Sequence, residues 1–366
     1  MSDSKPSLES LRQDIDTLDQ QIQELISERA RRAQDVARVK QAAKDAGEPV
    51  VFYRPEREAQ VLRRVMERNT GPLHQEAMAR LFREIMSACL ALEEPMTIAF
   101  LGPEGTFTQA AAQKHFGHGV ITSPMATIDE VFREVEAGHA HYGVVPVENS
   151  TEGVVNTTLD SFIHSRVTIC GEVELRIHHH LMVGQNTRSD AITRIYSHQQ
   201  SLAQCRQWLD ANYPTADRVP VSSNADAARR MQSEWNAAAI AGEVAAEMYD
   251  LKVLASNIED NPHNTTRFLI VGRERVPASG DDKTSIIVSM KNKPGALYEL
   301  LAPFHDAGIM LTRVETRPAR DGSWTYLFFI DFEGHEQDQG IAVALQRVEA
   351  MAVYVKRLGS YPRAVM

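Results

Sequence analysis

Apolar residues recur at every third or fourth position near the start of this chain: Leu8, Leu11, Ile15, Leu18, Ile22 and Leu25. This spacing predicts one face of a long α-helix. Continued in the same phase, that face includes Arg29, Arg32, Val36 and Val39. Two arginines therefore lie in an otherwise apolar seam, and a buried cation is costly unless an anion pairs with it.

Two cations of this helix can face one site. Arg29 and Lys40 are 11 residues apart, which at ~100° per residue brings them within ~20° of the same direction. Long cationic side chains usually reach solvent, but a dianionic ligand would also supply the missing partner. Arg12 faces another side of the helix, so it could serve a second copy of the site in a partner subunit.

Two shorter helices follow a break at residues 46–49. The second begins near Arg57 and Glu58 and runs to about Asn69, and the third is predicted over residues 74–93. One stripe of the third helix passes through Phe82, Met86, Cys89 and Glu93. An acidic residue thus takes a core position there.

Residues 1–95 resemble the all-helical chorismate mutases in this order of helices and in the segments LRQDID, SERA, VARVK and REAQVL. The resemblance implies an intertwined helical dimer that rearranges chorismate to prephenate by holding a compact conformer. It also implies the chorismate-binding residues: Arg12 from the partner subunit, Arg29, Lys40, Arg57, Glu58, Cys89 and Glu93.

Three positions depart from a well-known version of the mutase pattern. Arg54 stands where some members have an acid, Cys89 where some have serine, and Glu93 where many have glutamine. An amide donates a hydrogen bond at any pH, whereas a carboxyl group donates only when protonated. We therefore expect mutase activity to fall with rising pH. A dehydratase with a weak or inactive mutase domain is the alternative that these departures leave open.

Strand-like runs and helical segments alternate over residues 96–275. The alternation predicts a mainly parallel sheet with covering helices, and Thr127 with Glu130 indicates a helix start. Because the pattern occurs twice, we expect two α/β lobes of the periplasmic-binding type. Loops at the strand ends should line a cleft between the lobes.

Four segments at such strand ends, FLGPEGTF, VPVENS, YSHQQ and NTTRF, resemble the prephenate dehydratases in order and spacing. The resemblance covers nearly all of residues 97–272, with Gln199 as a departure from the common SHPQ. It implies the catalytic residues of the cleft: Glu148, Asn149, Ser197, Gln200, Thr266 and Arg267.

The implied reaction removes CO2 and a ring hydroxyl from prephenate to give phenylpyruvate. Hydroxide leaves poorly, so the site should protonate it or donate a hydrogen bond to it. Thr266 is the candidate donor, with Glu148 or a water as the source of the proton. Asn149 and Gln200 would hold the ring and the carboxylates. Arg267 could bind a carboxylate or be structural.

The run His178-His179-His180 could suggest zinc. In a strand, however, only His178 and His180 share a face, and the sequence places no third ligand. We therefore expect a structural role and no metal, and neither reaction needs a cofactor.

Residues 276–366 read as a ferredoxin-like βαββαβ unit, with strands predicted over 285–290, 309–316, 324–331 and 353–358. The segments KPGAL and ETRP resemble the signatures of ACT domains. The resemblance implies feedback inhibition through a phenylalanine site at a dimer interface, formed by Gly295, Ala296, Leu297, Glu315, Thr316, Arg317 and Pro318. A purely structural dimerisation domain is the alternative.

Composition limits the classes of binding partner and the cellular compartment that we expect for this protein. The formal net charge of −10 argues against nucleic acid or an anionic membrane surface as a partner. The three cysteines are far apart and predict reduced thiols in a cytoplasmic protein. No signal core or run of ~20 apolar residues is present. A ligand-sensing protein without catalysis remains an alternative, although a sensor has no need of the mutase-like cations.

Overall fold

The computed structural model of the chain describes residues 7–46, 51–188, 192–318 and 326–365. Its N-terminal part consists of three helices: α1 (Leu8–Asp45), α2 (Pro55–Arg68) and α3 (Gln75–Ala91). The α1 helix has 38 residues and begins after Ser7, whose Oγ accepts a hydrogen bond from the backbone N of Ser10 (3.1 Å). The long helix predicted from the apolar spacing is therefore confirmed.

The apolar seam of α1 faces solvent in the single chain. None of the residues of α1 is buried, and Leu8 and Val39 expose 66% and 72% of their surfaces. An exposed apolar stripe of this length indicates a surface that another helix covers.

The first α/β lobe contains a mixed sheet in the order β2-β1-β3-β11-β5, with β4 beside β3. Its strands are β1 (Thr97–Leu101), β2 (Ile121–Met125), β3 (Tyr142–Asn149), β4 (Gly153–Val154), β5 (Thr168–Arg176) and β11 (Thr265–Gly272). Its helices are α4 (Phe107–Phe116), α5 (Ile128–Ala137) and α6 (Asn156–His164). Thr127 caps α5 as predicted, because its Oγ1 accepts from the backbone N of Glu130 (3.2 Å).

The second lobe contains a sheet in the order β10-β6-β9-β7-β8. Its strands are β6 (His180–Val183), β7 (Arg194–His198), β8 (Asp217–Val221), β9 (Ala237–Ala241) and β10 (Lys252–Ala255). Its helices are α7 (Gln199–Gln204), α8 (Arg206–Asn212), α9 (Asn224–Arg230) and α10 (Glu243–Met248). Cys205 separates α7 from α8.

The prediction of mainly parallel sheets is wrong. In the first lobe β11 runs antiparallel to both β3 and β5, and in the second β6 runs antiparallel to β9 and β10. The physical reason is that the chain crosses from one lobe to the other after β5 and returns before β11. The two crossings lie side by side, since Ile177 N donates to Asn264 O (2.8 Å) and Ile258 N to His179 O (2.9 Å).

The C-terminal part confirms the βαββαβ order. Its elements are β12 (Asp282–Ser289), α11 (Ala296–Asp306), β13 (Leu311–Pro318), β14 (Tyr326–Glu333), α12 (Gln339–Met351) and β15 (Tyr354–Pro362). The antiparallel sheet has the order β13-β14-β12-β15. The first two residues of the predicted strand 324–331 lie outside the described residues.

One hydrophobic cluster joins this sheet to the first lobe. It packs Leu269 and Val271 of β11 with Ile287, Phe329 and Tyr361 of the C-terminal domain. The two units therefore share a core. No helix in the described parts of the chain is long and apolar enough to cross a membrane.

Candidate active sites

A cleft lies between the two α/β lobes, and residues of both lobes line it. The first lobe contributes Thr106, Phe107, Asn149, Val155, Asn264 and Thr266, and the second contributes His198, Gln200, Gln204 and Asn224. Three of the six cleft residues expected from the sequence are therefore in this lining, namely Asn149, Gln200 and Thr266.

The side chains of Asn149 and Thr266 meet at the floor of the cleft. The two residues are paired across β3 and β11, and Asn149 Nδ2 donates to Thr266 Oγ1 (2.7 Å). The same amide group donates to Asn264 Oδ1 (2.8 Å). Because Thr266 Oγ1 accepts from Asn149, its own proton is free to be donated into the cleft.

The glycine turn after β1 forms another wall. A Cβ atom on Gly102 would lie 2.8 Å from the Cβ of Pro124, so only glycine fits there. The turn leads into α4, whose N-cap residue Thr106 makes no capping hydrogen bond with its side chain. The N-cap residue of α6, Val155, has no capping side-chain bond either. The first-turn amides of both helices can therefore bind an anionic group.

The structure does not place Glu148 or Arg267 in the cleft, which corrects their expected positions. Successive side chains of a strand point to opposite faces, so both residues point away from Asn149 and Thr266. The carboxylate of Glu148 lies 3.8 Å from Arg313 Nε of β13, and 43% of its side chain is exposed. Neither residue is positioned to bind substrate or transfer a proton to it.

Arg267 instead joins the first lobe to the C-terminal domain. Its guanidinium group contacts Glu172 Oε2 (2.8 Å), Asp331 Oδ2 (2.8 Å) and Tyr361 Oη (3.0 Å). Burial alone would lower the pKa of Arg267, but Tyr361, Asp331 and Glu172 reverse that effect and raise the pKa above its ordinary value. Lys283 Nζ also binds Glu172 (2.8 Å), so the cations and acids of this network are paired.

Ser197 is also outside the cleft. It is fully buried, and its Oγ lies 2.7 Å from Ile240 O and 2.9 Å from Asn224 Oδ1. It therefore supports Asn224, which lines the cleft. The adjacent His198 lines the cleft and caps α7 through the backbone N of Gln200 (3.4 Å).

The lining residues that were not among the expected catalytic residues include His179, Gln204, Asn224 and Asn264. Asn264 is the first residue of NTTRF, so its place beside Thr266 could have been suggested by that segment. His179 and Gln204 carry no local signal, because their positions depend on how the crossings between the lobes pair.

The helical domain brings Lys40 and Glu93 together. Lys40 Nζ donates to Glu93 Oε2 (3.2 Å) and to Phe52 O (3.0 Å). Cys89 of the same α3 stripe is buried, whereas Arg12 and Arg29 are exposed on α1.

Glu58 has a different environment from the one expected. Arg83 Nε donates to Glu58 Oε1 (3.3 Å), and Arg83 Nη1 donates to Lys114 O of α4 (2.7 Å). Burial raises the pKa of Glu58, although Arg83 partly offsets it. Glu58 therefore faces the α/β region in this structure, and its neighbour Arg57 is exposed.

The residues expected at the phenylalanine site lie at the start of α11 and along the edge strand β13. Gly295 adopts a left-handed conformation (φ 83°) before α11, and Leu297 is exposed. Along the edge strand β13, Thr316 and Pro318 are exposed while Glu315 and Arg317 are half-buried. Arg317 binds Asp160 of α6 through Nε (3.1 Å) and Nη2 (2.8 and 2.9 Å).

The histidine run and the three cysteines are the remaining candidate metal ligands. Within the described ranges, no group of three or more His, Cys, Asp or Glu side chains could hold a metal ion. His178 Nδ1 contacts Glu259 Oε1 (2.7 Å) and His180 Nδ1 accepts from the backbone N of Asn257 (3.4 Å). Cys89, Cys170 and Cys205 are buried free thiols.

Comparison with known families agrees with three successive units. Residues 11–94 match the family described as chorismate mutase type II, residues 98–276 match prephenate dehydratase, and residues 284–350 match the ACT domain.

Relatives of the same overall length are also found. The chain is 67% identical over 359 residues to a bifunctional chorismate mutase/prephenate dehydratase of Stutzerimonas stutzeri, and 66% identical to a protein of the same name from Pseudomonas aeruginosa. Each alignment covers 98% of both chains.

A solved structure resembles the last two units. The prephenate dehydratase of Arthrobacter aurescens in complex with L-Phe is 37% identical and superposes with a TM-score of 0.69, covering 73% of this chain and 90% of that one.

Proposed function

Because the chain belongs to the family of bifunctional chorismate mutase/prephenate dehydratases, we propose which of its residues perform the two reactions. It rearranges chorismate to prephenate, converts prephenate to phenylpyruvate, and is inhibited by phenylalanine. We place the domain boundaries at 95/96 and 275/276. The observation that carries the site assignment is the contact between Asn149 and Thr266 in the cleft.

In the dehydratase step, prephenate loses CO2 and its ring hydroxyl, and the hydroxyl leaves as water after gaining one proton. Thr266 donates a hydrogen bond to the departing oxygen, because Asn149 occupies its acceptor side and leaves its proton free. Glu148 is not in the cleft lining, and its carboxylate lies beside Arg313 instead, so we do not assign the proton to it. Among the titratable side chains of the described lining, Glu152 and His198 are the candidate sources of the proton, and water is the other source.

The substrate carboxylates bind to backbone amides instead of to Arg267. The described lining of the cleft includes no lysine or arginine. The first turns of α4 and α6 start at the cleft without side-chain caps. Unpaired amides at a helix start, together with the helix dipole, favour an anion. Gln200 at the start of α7 adds an amide side chain to the same region.

The mutase site requires a second copy of the chain. The exposed seam of α1 pairs with the seam of a partner, which brings the partner's Arg12 to Arg29, Lys40, Cys89 and Glu93. The cations neutralise the two carboxylates and the charge that develops on the ether oxygen. Arg57 can join this site from its exposed position. The contact between Glu58 and Arg83 would have to break for Glu58 to reach the substrate hydroxyl.

Phenylalanine acts at the C-terminal domain. The turn at Gly295 and the edge strand β13 are open to a partner domain, as a site at a dimer interface requires. The shared core and the Arg267 network connect this domain to the cleft. The buried free thiols accord with a cytoplasmic enzyme.

The Thr266→Ala variant tests the dehydratase assignment. We expect loss of prephenate turnover by at least about a hundredfold, the scale of a lost oxyanion donor. Chorismate turnover measured on the same sample should be unchanged, which also reports on folding. Thr266→Ser retains the hydroxyl group and should keep most of the activity. Full prephenate turnover by the alanine variant would refute the role of Thr266.

A further inference from the structure

The middle histidine of the run His178-His179-His180 lies in the wall of the cleft. Only 1% of His179 is exposed. It belongs to the first crossing between the lobes, before β6 begins at His180. Strand alternation therefore does not apply to it, and its role in the fold is not that of the other two histidines.

A chain of hydrogen bonds runs from His179 to Thr266. His179 Nε2 lies 2.9 Å from Gln204 Oε1, and Asn264 Nδ2 donates to the same oxygen (3.2 Å). Asn149 Nδ2 then donates to Asn264 Oδ1 (2.8 Å) and to Thr266 Oγ1 (2.7 Å). These hydrogen bonds connect the first crossing and α7 of the second lobe to β11 of the first lobe, the strand that carries Thr266.

Neighbouring residues fix which way the side-chain amides of Asn149 and Gln204 point. Asn149 Oδ1 accepts from the backbone N of Thr151 (2.9 Å) and Glu152 (3.0 Å), so its amide nitrogen faces Thr266. Gln204 Nε2 donates to Glu152 Oε1 (3.4 Å), so its oxygen faces His179. His179 Nε2 must therefore carry the proton that is donated to Gln204.

The imidazole is held in its neutral form. Burial lowers the pKa of His179, although the hydrogen bond to Gln204 and the charge of Glu259 act in the opposite direction. Nδ1 is buried and has no hydrogen-bond partner among the described residues. A second proton would leave a buried donor unpaired. The neutral imidazole with its proton on Nε2 is therefore the form of His179 at neutral pH.

We propose that His179 is a positioning residue for the dehydratase reaction, which acts through Gln204 and Asn264. Its Nε2–H fixes the Gln204 side chain across the junction of the lobes, and Gln204 in turn fixes Asn264 beside Asn149. This arrangement keeps the proton of Thr266 available to the substrate. The inference rests on the proposed function of the cleft.

Two substitutions separate this role from simple packing. His179→Phe keeps the ring and its edge contact with Phe107, whose centroid is 5.6 Å away, but removes the donor. His179→Gln places an amide N–H near the position of Nε2. We expect the phenylalanine variant to lose about tenfold in kcat for prephenate, the scale of one hydrogen bond. Its KM should change less than about threefold.

The glutamine variant should keep kcat within about threefold of the parent chain. Chorismate turnover should be unchanged in both variants, which shows that the chain is folded. His180→Phe is the matched control, since His180 contacts the backbone of Asn257 and not Gln204. It should keep full prephenate turnover.

A double-mutant cycle tests the route through Gln204. If His179 acts through Gln204, His179→Phe should cause no further loss of kcat in a chain that already carries Gln204→Leu. Independent losses that multiply would overturn the proposal, as would equal losses in the phenylalanine and glutamine variants. If the unaltered chain fails to consume prephenate at all, the proposed function is wrong instead.

Discussion

Thr266 and Arg267 are consecutive residues of β11, yet their side chains contact different domains. Thr266 Oγ1 accepts from Asn149 in the cleft, whereas Arg267 Nη1 donates to Asp331 of the C-terminal domain. The alternation of a strand thus places the proposed catalytic hydroxyl group and an interdomain ion pair on one rigid element. A shift of the C-terminal domain that moves Asp331 would also move the strand that carries Thr266.

The Arg267→Leu variant should be destabilised by about 3–5 kcal/mol, because it leaves Asp331 buried without this ion pair and leaves Glu172 with Lys283 alone. Urea unfolding midpoints of the purified chain measure this effect. Thr266→Ala should keep the parent midpoint within a few tenths of a molar in urea, since it removes one small polar group. If Arg267→Leu kept the parent midpoint and lost only turnover, a direct contact with substrate would have to be considered again.

The ion pair of Asp160 in α6 should transmit part of the inhibition by phenylalanine from the C-terminal domain to the cleft. Asp160 binds Arg317 of the ETRP segment, and α6 begins at the cleft beside Val155. Replacing Asp160 by asparagine removes the charge but keeps the shape. We expect phenylalanine binding, measured by calorimetry, to change less than about threefold, while inhibition of prephenate turnover weakens by about fivefold or more, the usual scale of allosteric coupling. Unaltered inhibition would exclude this ion pair from the regulation.

Glu93→Gln should raise the rate of the mutase reaction. As a carboxylate, Glu93 pairs with Lys40 (3.2 Å) and offers no hydrogen-bond donor to the ether oxygen. The amide of the variant can donate there, so we expect its chorismate turnover at pH 7 to exceed that of the parent chain. Prephenate turnover of the same samples serves as the control, because Glu93 is not in the cleft lining. Equal chorismate turnover by the two chains would contradict the donor role.

The sequence predicted the elements whose signals are local. The α1 helix follows from its apolar period, and the βαββαβ order follows from alternating short segments. Asn149, Gln200 and Thr266 could be placed because their motifs end strands at the cleft. Strand alternation could also have shown that the side chains of Glu148 and Arg267 point to the opposite face from those of Asn149 and Thr266.

Other features depend on long-range pairing. His179 faces the cleft because its crossing pairs with residue Ile258 of the returning crossing, which is 79 positions later in the chain. Glu58 meets Arg83 because α2 and α3 pack together beside α4. The antiparallel strands likewise follow from the return of the chain to the first lobe. None of these relationships has a local signature.

His115 should make the junction between the helical domain and the first lobe sensitive to acid. Its Nε2 lies 3.2 Å from Tyr53 Oη, and burial, with a smaller effect of Arg83, lowers the pKa of His115 from 6.5 to about 3. The unfolded chain therefore binds a proton at His115 below about pH 6.5 that the folded chain binds only near pH 3. Stability is lost as pH falls through this range, at up to about 1.4 kcal/mol per pH unit.

A glutamine at position 115 can keep a hydrogen bond with Tyr53 but does not titrate. We expect the unfolding midpoint of His115→Gln to fall less steeply between pH 6 and pH 4 (about the range over which the native histidine resists protonation) than that of the parent chain. Subtracting the two profiles removes the contributions of the other titratable groups. A constant difference between the midpoints at all pH values would show that His115 does not stay neutral at the junction.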